Sequence, residues 1–321
     1  MKKATNIIIL SSIFLIIVGI FVFVVTLSVN KWDFTKFSIT TISTNTYNIT
    51  DDFTNIEIEE LDCDIDFVYI EGGENKVVVK EVSNKFHAVE VRENTLYIKE
   101  NDERRWYEKI LGIYDTNIII YINKTILGNL NIKTFTGDVL VTDQLIFENV
   151  TIEGTTSDIE IYANVIENIN INITTGDIEL NNVACSNLNL EVSTGDIEIE
   201  NLNCHNDLKL SGSTGECIIE NTICKNFNSE SSTGEILLRN VIVDNDMNIK
   251  RDTGDVKLDK CDALNIVIET STGDVRGTLL SNKEFNCKTD TGKIKIPESI
   301  VGGKCKINTS TGDIIIDIVY K

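Results

Sequence analysis

A short motif, seen as STGD at residues 193–196, recurs throughout the C-terminal two-thirds of the sequence. Its third position is Gly in every copy but one, and successive copies lie 19 or 20 residues apart. These anchor positions are Gly137, Ser157, Gly176, Gly195, Gly215, Gly234, Gly254, Gly273, Gly292 and Gly312. So regular a period predicts a fold built from stacked repeats.

Each repeat contains two short stretches of alternating apolar residues. They lie just after the anchor, as at Ile178 and Leu180, and several residues before the next one, as at Leu188 and Leu190. Alternation of such residues is typical of β-strands. About twenty residues are too few for two strands and a crossover helix. We therefore predict an all-β, single-chain solenoid of about ten coils over residues 129–321, in which each strand pairs in parallel with its equivalents.

Two columns of polar residues mark the corners of the predicted coils. A Thr precedes every anchor, as at Thr194, and we expect this column to face inward. Asn or Asp stands eight positions before most anchors, as at Asn187. These residue types tolerate left-handed backbone and bond nearby backbone groups, so they suit a corner.

The N-terminus carries an uncharged apolar stretch from Ile7 to Val29, preceded by Lys2 and Lys3. It is long enough to cross a bilayer, and the lysines favour a cytoplasmic N-terminus. A cleaved signal peptide is the alternative, but its apolar region is usually only about 7–15 residues long. We predict a signal anchor in residues 1–30, which makes this a single-pass protein of the cell membrane with its repeat domain extracellular.

Residues 31–50 read as a polar tether, and residues 51–128 as a β-strand head without the strict period. We expect the head to supply irregular first coils and a cap. Within it, Arg104, Arg105 and Trp106 form a basic, aromatic patch. That patch is either a solvated hairpin loop or a contact with the membrane surface or a partner. The predicted head strands cover residues 56–58, 65–70, 77–82, 88–91, 96–99 and 117–122.

Three segments occur in a characteristic order: LYIKE followed by RRW at residues 96–106, NIIIYINK at residues 117–124, and then the STGDI units. This order resembles the bacterial toastrack family, also called the putative-adhesin family, over about residues 50–321. The chain departs from the family pattern at Ile122 and Asn123, where Leu-Pro is usual. The resemblance implies a β-solenoid at the bacterial envelope, in some relatives linked to envelope stress and antimicrobial-peptide sensing. It implies no catalytic residues.

The formal net charge of −21 disfavours nucleic acid and anionic lipid as partners and favours cations and basic peptides. The regular period leaves no long loops to wall a catalytic cleft, so we predict that the protein is not an enzyme. A structural polymer is the alternative class of function, because stacked coils can join end to end.

The eight cysteines lie in an extracellular domain by this prediction, which raises the question of disulfides. Cys185, Cys204 and Cys224 occupy one inward column, where parallel side chains point the same way, so we expect small apolar core residues. Zinc is disfavoured because no Cys-x-x-Cys occurs and because His87 and His205 are isolated in the sequence.

An acidic residue follows most anchors, and a second acidic residue stands two positions further on in three successive coils. Both are expected to face outward, whereas later coils carry Lys257, Arg276 and Lys295 at the second position. Turns alone explain part of this pattern, because carboxylates accept backbone N–H bonds in their own turns. We predict that the uncompensated patch binds Ca²⁺ or a cationic peptide, and we expect no other cofactor. The patch comprises Asp158, Glu160, Asp177, Glu179, Asp196 and Glu198.

The last coil ends on an apolar run that includes Ile315 and Ile318. An unpaired apolar edge strand invites pairing. We therefore predict a homodimer through this C-terminal edge or the addition of a strand from a partner, such as another envelope protein.

Overall fold

The computed structural model describes residues 2–29, 31–32, 41–104 and 116–320. Helix α1 (Lys2–Val29) opens the chain. Within it, Leu10–Val29 has a mean hydropathy of 2.9 and packs little against the remainder of the described chain. By length and composition this stretch can cross a membrane, although a signal sequence would meet the same criteria.

Seven strands precede the repeats, and all six predicted head strands are among them. The additional strand, β1, corrects the prediction that residues 31–50 form only a tether: it pairs antiparallel with β4 along its full length. The seven are β1 (Ile42–Asn48), β2 (Asn55–Glu59), β3 (Asp64–Tyr69), β4 (Lys76–Val82), β5 (Lys85–Arg92), β6 (Thr95–Asp102) and β7 (Asn117–Ile122).

The repeats fold into two long parallel faces and one short strip. Face A contains β9 (Val139–Val141), β11 (Ile159–Ile161), β13 (Ile178–Asn181), β16 (Ile197–Glu200), β19 (Cys217–Glu220), β22 (Ile236–Arg239), β25 (Val275–Leu279), β27 (Ile294–Lys295) and β29 (Ile314–Ile318). Face B contains β8 (Asn129–Thr136), β10 (Ile146–Thr156), β12 (Asn164–Thr175), β15 (Asn187–Thr194), β18 (Asp207–Thr214), β21 (Asn226–Thr233), β23 (Ile242–Thr253), β26 (Lys283–Thr291) and β28 (Gly303–Thr311). Strand β24 (Val256–Thr272) begins on face A and ends on face B. The strip is β14 (Ala184–Cys185), β17 (Asn203–Cys204) and β20 (Ile223–Cys224).

Equivalent residues of neighbouring coils lie in register, which confirms the predicted all-β solenoid. On face A, Ile159 pairs with Ile178, and Ile178 pairs in turn with Ile197. The alternating apolar residues of both faces point inward and form one continuous core. All eight cysteines are free thiols, and all but the half-buried Cys287 are buried, as expected of small apolar core residues.

The order of coils in space differs from their order in the chain at the N-terminal end. The coil of β2 and β3 lies between the coil of β6 and β7 on one side and that of β8 and β9 on the other. Beyond the coil of β6 and β7, β5 pairs antiparallel with β6 and β4 pairs antiparallel with β7, and these strands close this end. The head therefore supplies both the first coils and the cap, as predicted.

A second exchange occurs at the C-terminal end. The last coil in the chain, β28 and β29, lies between β24–β25 and the coil of β26 and β27. Ile315 pairs with Arg276 on one side and with Lys295 on the other, and Ile318 pairs with Leu279. The premise of an unpaired end is therefore wrong for Ile315. Ile318 pairs with Leu279 on one side only, because β27 ends at Lys295 and no strand of the described residues pairs with Ile318 on its other side. The outermost strands are β26 and β27.

The corner at the anchor corrects a second expectation. Ser193 and Thr194 are both exposed, although the strand alternates up to Val192. The pairing register passes from Val192 to Thr194, so the strand turns outward there and the Thr column faces solvent. Gly195 follows with φ +147°, and a Cβ on it would lie 1.8 Å from the Gly176 carbonyl oxygen. Only glycine permits coils to stack this closely here.

The Asn column is present but acts differently from the expectation. Its side chains hydrogen bond to one another along the rod, as from Asn168 Nδ2 to Asn149 Oδ1 at 2.9 Å. Left-handed backbone occurs instead at the opposite corner, for instance at Asn182 and Asn201.

Candidate functional site

The six predicted carboxylates lie together on the outer surface of face A. Glu160, Glu179 and Glu198 are directly paired neighbours on β11, β13 and β16. The aspartates occupy the turns that lead into the same strands. All six side chains are exposed or half-buried, as the alternation predicted.

The aspartate column has a structural role along the whole patch. Asp177 Oδ1 accepts the backbone N–H of Asp196 at 2.7 Å, and Asp158 Oδ1 accepts that of Asp177 at 2.8 Å. The expectation placed these bonds within one turn, whereas they join successive coils. One oxygen of each aspartate is therefore engaged, and the second is left for a ligand.

The glutamate row has no such engagement with the backbone. The hydroxyl of Tyr162 lies 3.1 Å from Glu160 Oε2 and 3.0 Å from Glu179 Oε1. It has one proton and so can donate to only one of the two carboxylates at a time. Burial, followed by hydrogen bonding to the two glutamates, raises the pKa of Tyr162 above its ordinary value. The geometry favours a positively charged group beside this pair.

The acidic surface extends further than the six predicted residues. Strand β3 lies next to β9, so Asp64 and Asp138 extend the aspartate column, whereas Leu140 separates Asp66 from Glu160 in the neighbouring row. These acidic residues line an open pocket of about 350 Å³ together with Lys80. Burial, together with the charges of Asp64 and Glu160, raises the pKa of Asp66. A signal existed in the sequence, since residues 63–67 (CDIDF) repeat the pattern after an anchor with Cys63 in the glycine position. The exchanged coil order concealed it.

Further along face A the surface is neutralised, as predicted. Lys257 Nζ lies 2.6 Å from Glu235, and the Arg276 guanidinium lies 2.7 Å from Asp274 and 3.1 Å from Asp313. Among the described residues, no ion pair involves any of the six predicted carboxylates. Acidity without compensation is thus concentrated near the N-terminal end of the rod.

The predicted basic patch is not supported at Arg104. This side chain is buried, and its guanidinium lies 2.8 Å from Asp102 and 3.2 Å from Asp62. It is therefore part of an internal ion-pair network and does not form an exposed contact surface. Arg105 and Trp106 lie outside the described residues.

His87 is isolated in the sequence but not in space. It lies on β5 beside Glu60, Cys63 and Glu100, whose ligand atoms are all within 4.8 Å of one another. The expectation that a zinc site is disfavoured because His87 stands alone is thus wrong in its premise. His205, by contrast, lies at the surface, with Nδ1 3.0 Å from the Cys185 carbonyl oxygen.

Comparisons with known proteins agree with this fold. Residues 49–222 and 203–321 match the family model described as Toastrack DUF4097. No curated protein sequence matches the chain significantly. A solved "putative lipid binding protein" from Parabacteroides distasonis is 15% identical, covers 86% of this chain and 97% of its own, and has a TM-score of 0.48.

Two further solved structures are named as "putative adhesin". The one from Bacteroides fragilis is 15% identical, covers 87% of this chain and 97% of its own, and has a TM-score of 0.37. The one from Parabacteroides merdae is 12% identical, covers 84% and 96%, and has a TM-score of 0.42. None of the three is named as an enzyme.

Proposed function

The chain belongs to the family Toastrack DUF4097, and on that premise we propose that it is a membrane-anchored, cell-surface binding protein whose acidic face takes up cationic peptides. Helix α1 is the anchor, and the solenoid is the extracellular part. The observation that carries the proposal is the aspartate column, which is continuous from Asp64 to Asp196, beside the row of Glu160, Glu179 and Glu198. No ion pair within the described chain involves the six predicted carboxylates. Such a surface serves an adhesin-like role or the sensing of peptides at the envelope.

The arrangement of the carboxylates favours a peptide over a single metal ion. Ca²⁺ takes six to eight oxygen ligands that converge at about 2.3–2.6 Å. The acidic residues here are instead spread along the rod at intervals of about 4.8 Å, and each aspartate has one oxygen bonded to the next coil. Several cationic side chains on one peptide can reach such a row together. We therefore propose a cationic peptide as the ligand of this surface and keep Ca²⁺ as the alternative ligand.

The test is calorimetric titration of the full-length chain in uncharged detergent with a lysine-rich amphipathic peptide. We expect the triple variant Glu160→Gln, Glu179→Gln, Glu198→Gln to bind about tenfold more weakly than the parent. Three exposed ion pairs at about 0.5 kcal/mol each amount to that factor. Moderate salt should weaken the binding of the parent as well.

A matched control variant removes three negative charges from face B and leaves face A unchanged. Glu148 on β10, Glu167 on β12 and Glu191 on β15 are all exposed on face B, and none of them forms an ion pair within the described residues. Their change to Gln should leave the affinity within about twofold of the parent. Equal losses in the two triple variants would show that only net charge matters. Parallel titration with Ca²⁺ separates the ion from the peptide.

The alternative of a polymer that grows end to end receives less support. Strands β26 and β27 form the outer C-terminal edge, and Lys288, Asp290, Lys293 and Lys295 place charges on or beside it. The single proline of the chain, Pro297, lies two residues after the end of β27. Charges and proline at an edge strand oppose pairing with another chain.

A further inference from the structure

A buried polar cluster lies inside the N-terminal cap. Glu60 and Cys63 stand in the turn between β2 and β3, His87 comes from β5, and Glu100 comes from β6. His87 and Glu100 are directly opposed in the β5–β6 pair, so their side chains share one face. The alternation that places Ile56 and Ile58 in the core continues to Glu60. The fold therefore directs these polar groups inward, where apolar residues would ordinarily pack.

Glu81 fixes the orientation of the imidazole. Its Oε1 lies 2.9 Å from His87 Nδ1 and also accepts the His87 backbone N–H at 2.8 Å. The Nδ1–H group therefore donates to Glu81, and Nε2 is turned towards Glu60 and the centre of the cluster. A carboxylate behind a histidine in this manner is the usual outer partner of a metal-bound imidazole, because it fixes the tautomer and raises ligand basicity.

The centre of the cluster lacks the hydrogen bonds that its burial requires. His87 Nε2 lies 2.7 Å from Glu60 Oε1, yet the two atoms are not aligned as a hydrogen bond. Both oxygens of Glu60 and Oε1 of Glu100 are likewise buried without a partner in the described chain. The side chains of Glu60 and His87 are fully inaccessible to solvent. Unpaired buried polar atoms are costly, so their convergence points to a missing positive group.

We propose that Glu60, Cys63, His87 and Glu100 form a binding site for one Zn²⁺ ion. The bound ion would link the β5–β6 hairpin to the turn between β2 and β3. Zinc bound tetrahedrally, at about 2.0–2.3 Å from each ligand, separates its ligand atoms by about 3.5 Å. The four ligand atoms lie within 4.8 Å of one another, and His87 Nε2 is 2.7 Å from Glu60 Oε1, so zinc binding requires the wider pairs to approach and this pair to separate by about 1 Å. A set of one nitrogen, one sulfur and two carboxylates suits zinc and excludes Ca²⁺ and Mg²⁺, which prefer oxygen alone.

An entry path exists on the outer surface. Glu60 and Glu100 also line an open pocket of about 380 Å³ together with Glu59, Lys99 and Lys133. The side chains of Glu60 and Glu100 are buried beneath this pocket, so an ion would enter the cluster by displacing them.

The competing explanation uses cations already in the chain. Lys85 Nζ lies 3.2 Å from Glu100 Oε2 and 3.3 Å from Cys63 Sγ, but it does not partner Glu60. A proton between His87 and Glu60 would satisfy that pair alone. In this alternative the cluster binds no metal, and the experiment separates the two.

The full-length chain in detergent is stripped with a chelator, loaded with Zn²⁺, desalted, and its metal content measured by mass spectrometry. We expect one zinc per chain and a higher Tm than that of the stripped protein, because a ligand that binds only the folded state stabilises it. Cys63→Ser and His87→Gln should lose both effects. The matched variants Cys305→Ser and His205→Gln, which alter the same residue types elsewhere, should keep them.

Substitution with Co²⁺ provides a readout that does not depend on the variants folding. A thiolate ligand gives cobalt an intense charge-transfer band in the near ultraviolet, and tetrahedral geometry gives strong visible bands. Wild-type protein that retains no zinc, or whose Co²⁺ complex lacks the thiolate band, would overturn the proposal. Equal metal content in Cys63→Ser, His87→Gln and the parent would overturn it too.

Discussion

The glycine column at the anchor corner makes a quantitative prediction about Gly195→Ala. Gly195 has φ +147°, a backbone region that costs other residues about 1–3 kcal/mol. Its new Cβ would also lie 1.8 Å from the Gly176 carbonyl oxygen, where real Cβ contacts essentially never fall below 3.0 Å. Relief requires the coils to separate locally, which weakens flanking bonds such as Gly195 N–H to Thr214 O at 3.0 Å. One or two such bonds add about 1–2 kcal/mol, so we expect a total loss of about 2–5 kcal/mol.

Gly72→Ala is the matched control, because it separates backbone strain from overlap. Gly72 also has a positive φ, +67°, but nothing lies within 4 Å of its Cβ position. A left-handed alanine costs about 1–2 kcal/mol. Urea unfolding of both variants in detergent, followed by far-ultraviolet circular dichroism, measures the difference. If Gly195→Ala proves no more destabilising than Gly72→Ala, then the close approach of successive coils does not limit the residue at this corner.

Two further predictions concern the aspartate column and the exchanged C-terminal coil. Asp177→Ala removes the acceptor of the Asp196 N–H and should cost about 1 kcal/mol in urea unfolding, whereas Asp177→Asn keeps an acceptor oxygen and should stay within about 0.5 kcal/mol of the parent; equal losses would contradict the role of the bond. Deletion of residues 303–321 removes β28 and β29, which separate β26 and β27 from the rest of the rod. We expect residues 283–295 to lose their protection from hydrogen exchange as well, and retained protection there would contradict the exchanged order.

The central coils of the solenoid could be predicted because the same residue types recur at a fixed period in the sequence. Anchors such as Gly195 and alternating residues such as Ile178 and Leu180 specify a corner and a strand from a few neighbouring residues. The acidic patch followed from the same period, because side chains at equivalent positions stack. The outward turn at Thr194 was missed because alternation alone does not reveal where a strand bends at a corner.

The spatial order of the coils at the two ends of the rod could not be predicted from the repeated sequence pattern. Strand β28 pairs with β24 and β26 through residues that would fit either neighbour equally well, since all coils carry similar patterns. The cluster around His87 was missed for a related reason, because its members are distant in the chain and meet only when β5 and β6 cap the exchanged coil. A usable signal was present in Glu60 and Glu100, which occupy inward positions at the ends of apolar alternations.

The position of the acidic face relative to the anchor bears on what it can bind. Strand β1 is the outermost strand of the sheet that continues face A towards the N-terminal end, and β4, β7, β3 and β9 lie between it and β11. At about 4.8 Å per strand, Glu160 lies about 24 Å from β1 and Glu198 about 34 Å. The chain between α1 and β1 comprises only about a dozen residues, which span at most about 40 Å. If α1 is embedded in the membrane, the acidic face is therefore held within several nanometres of the bilayer. The neutralised coils carrying Lys257 and Arg276 lie further along the rod, so a peptide bound to the acidic face, as proposed, would lie on the part of the rod nearer to β1.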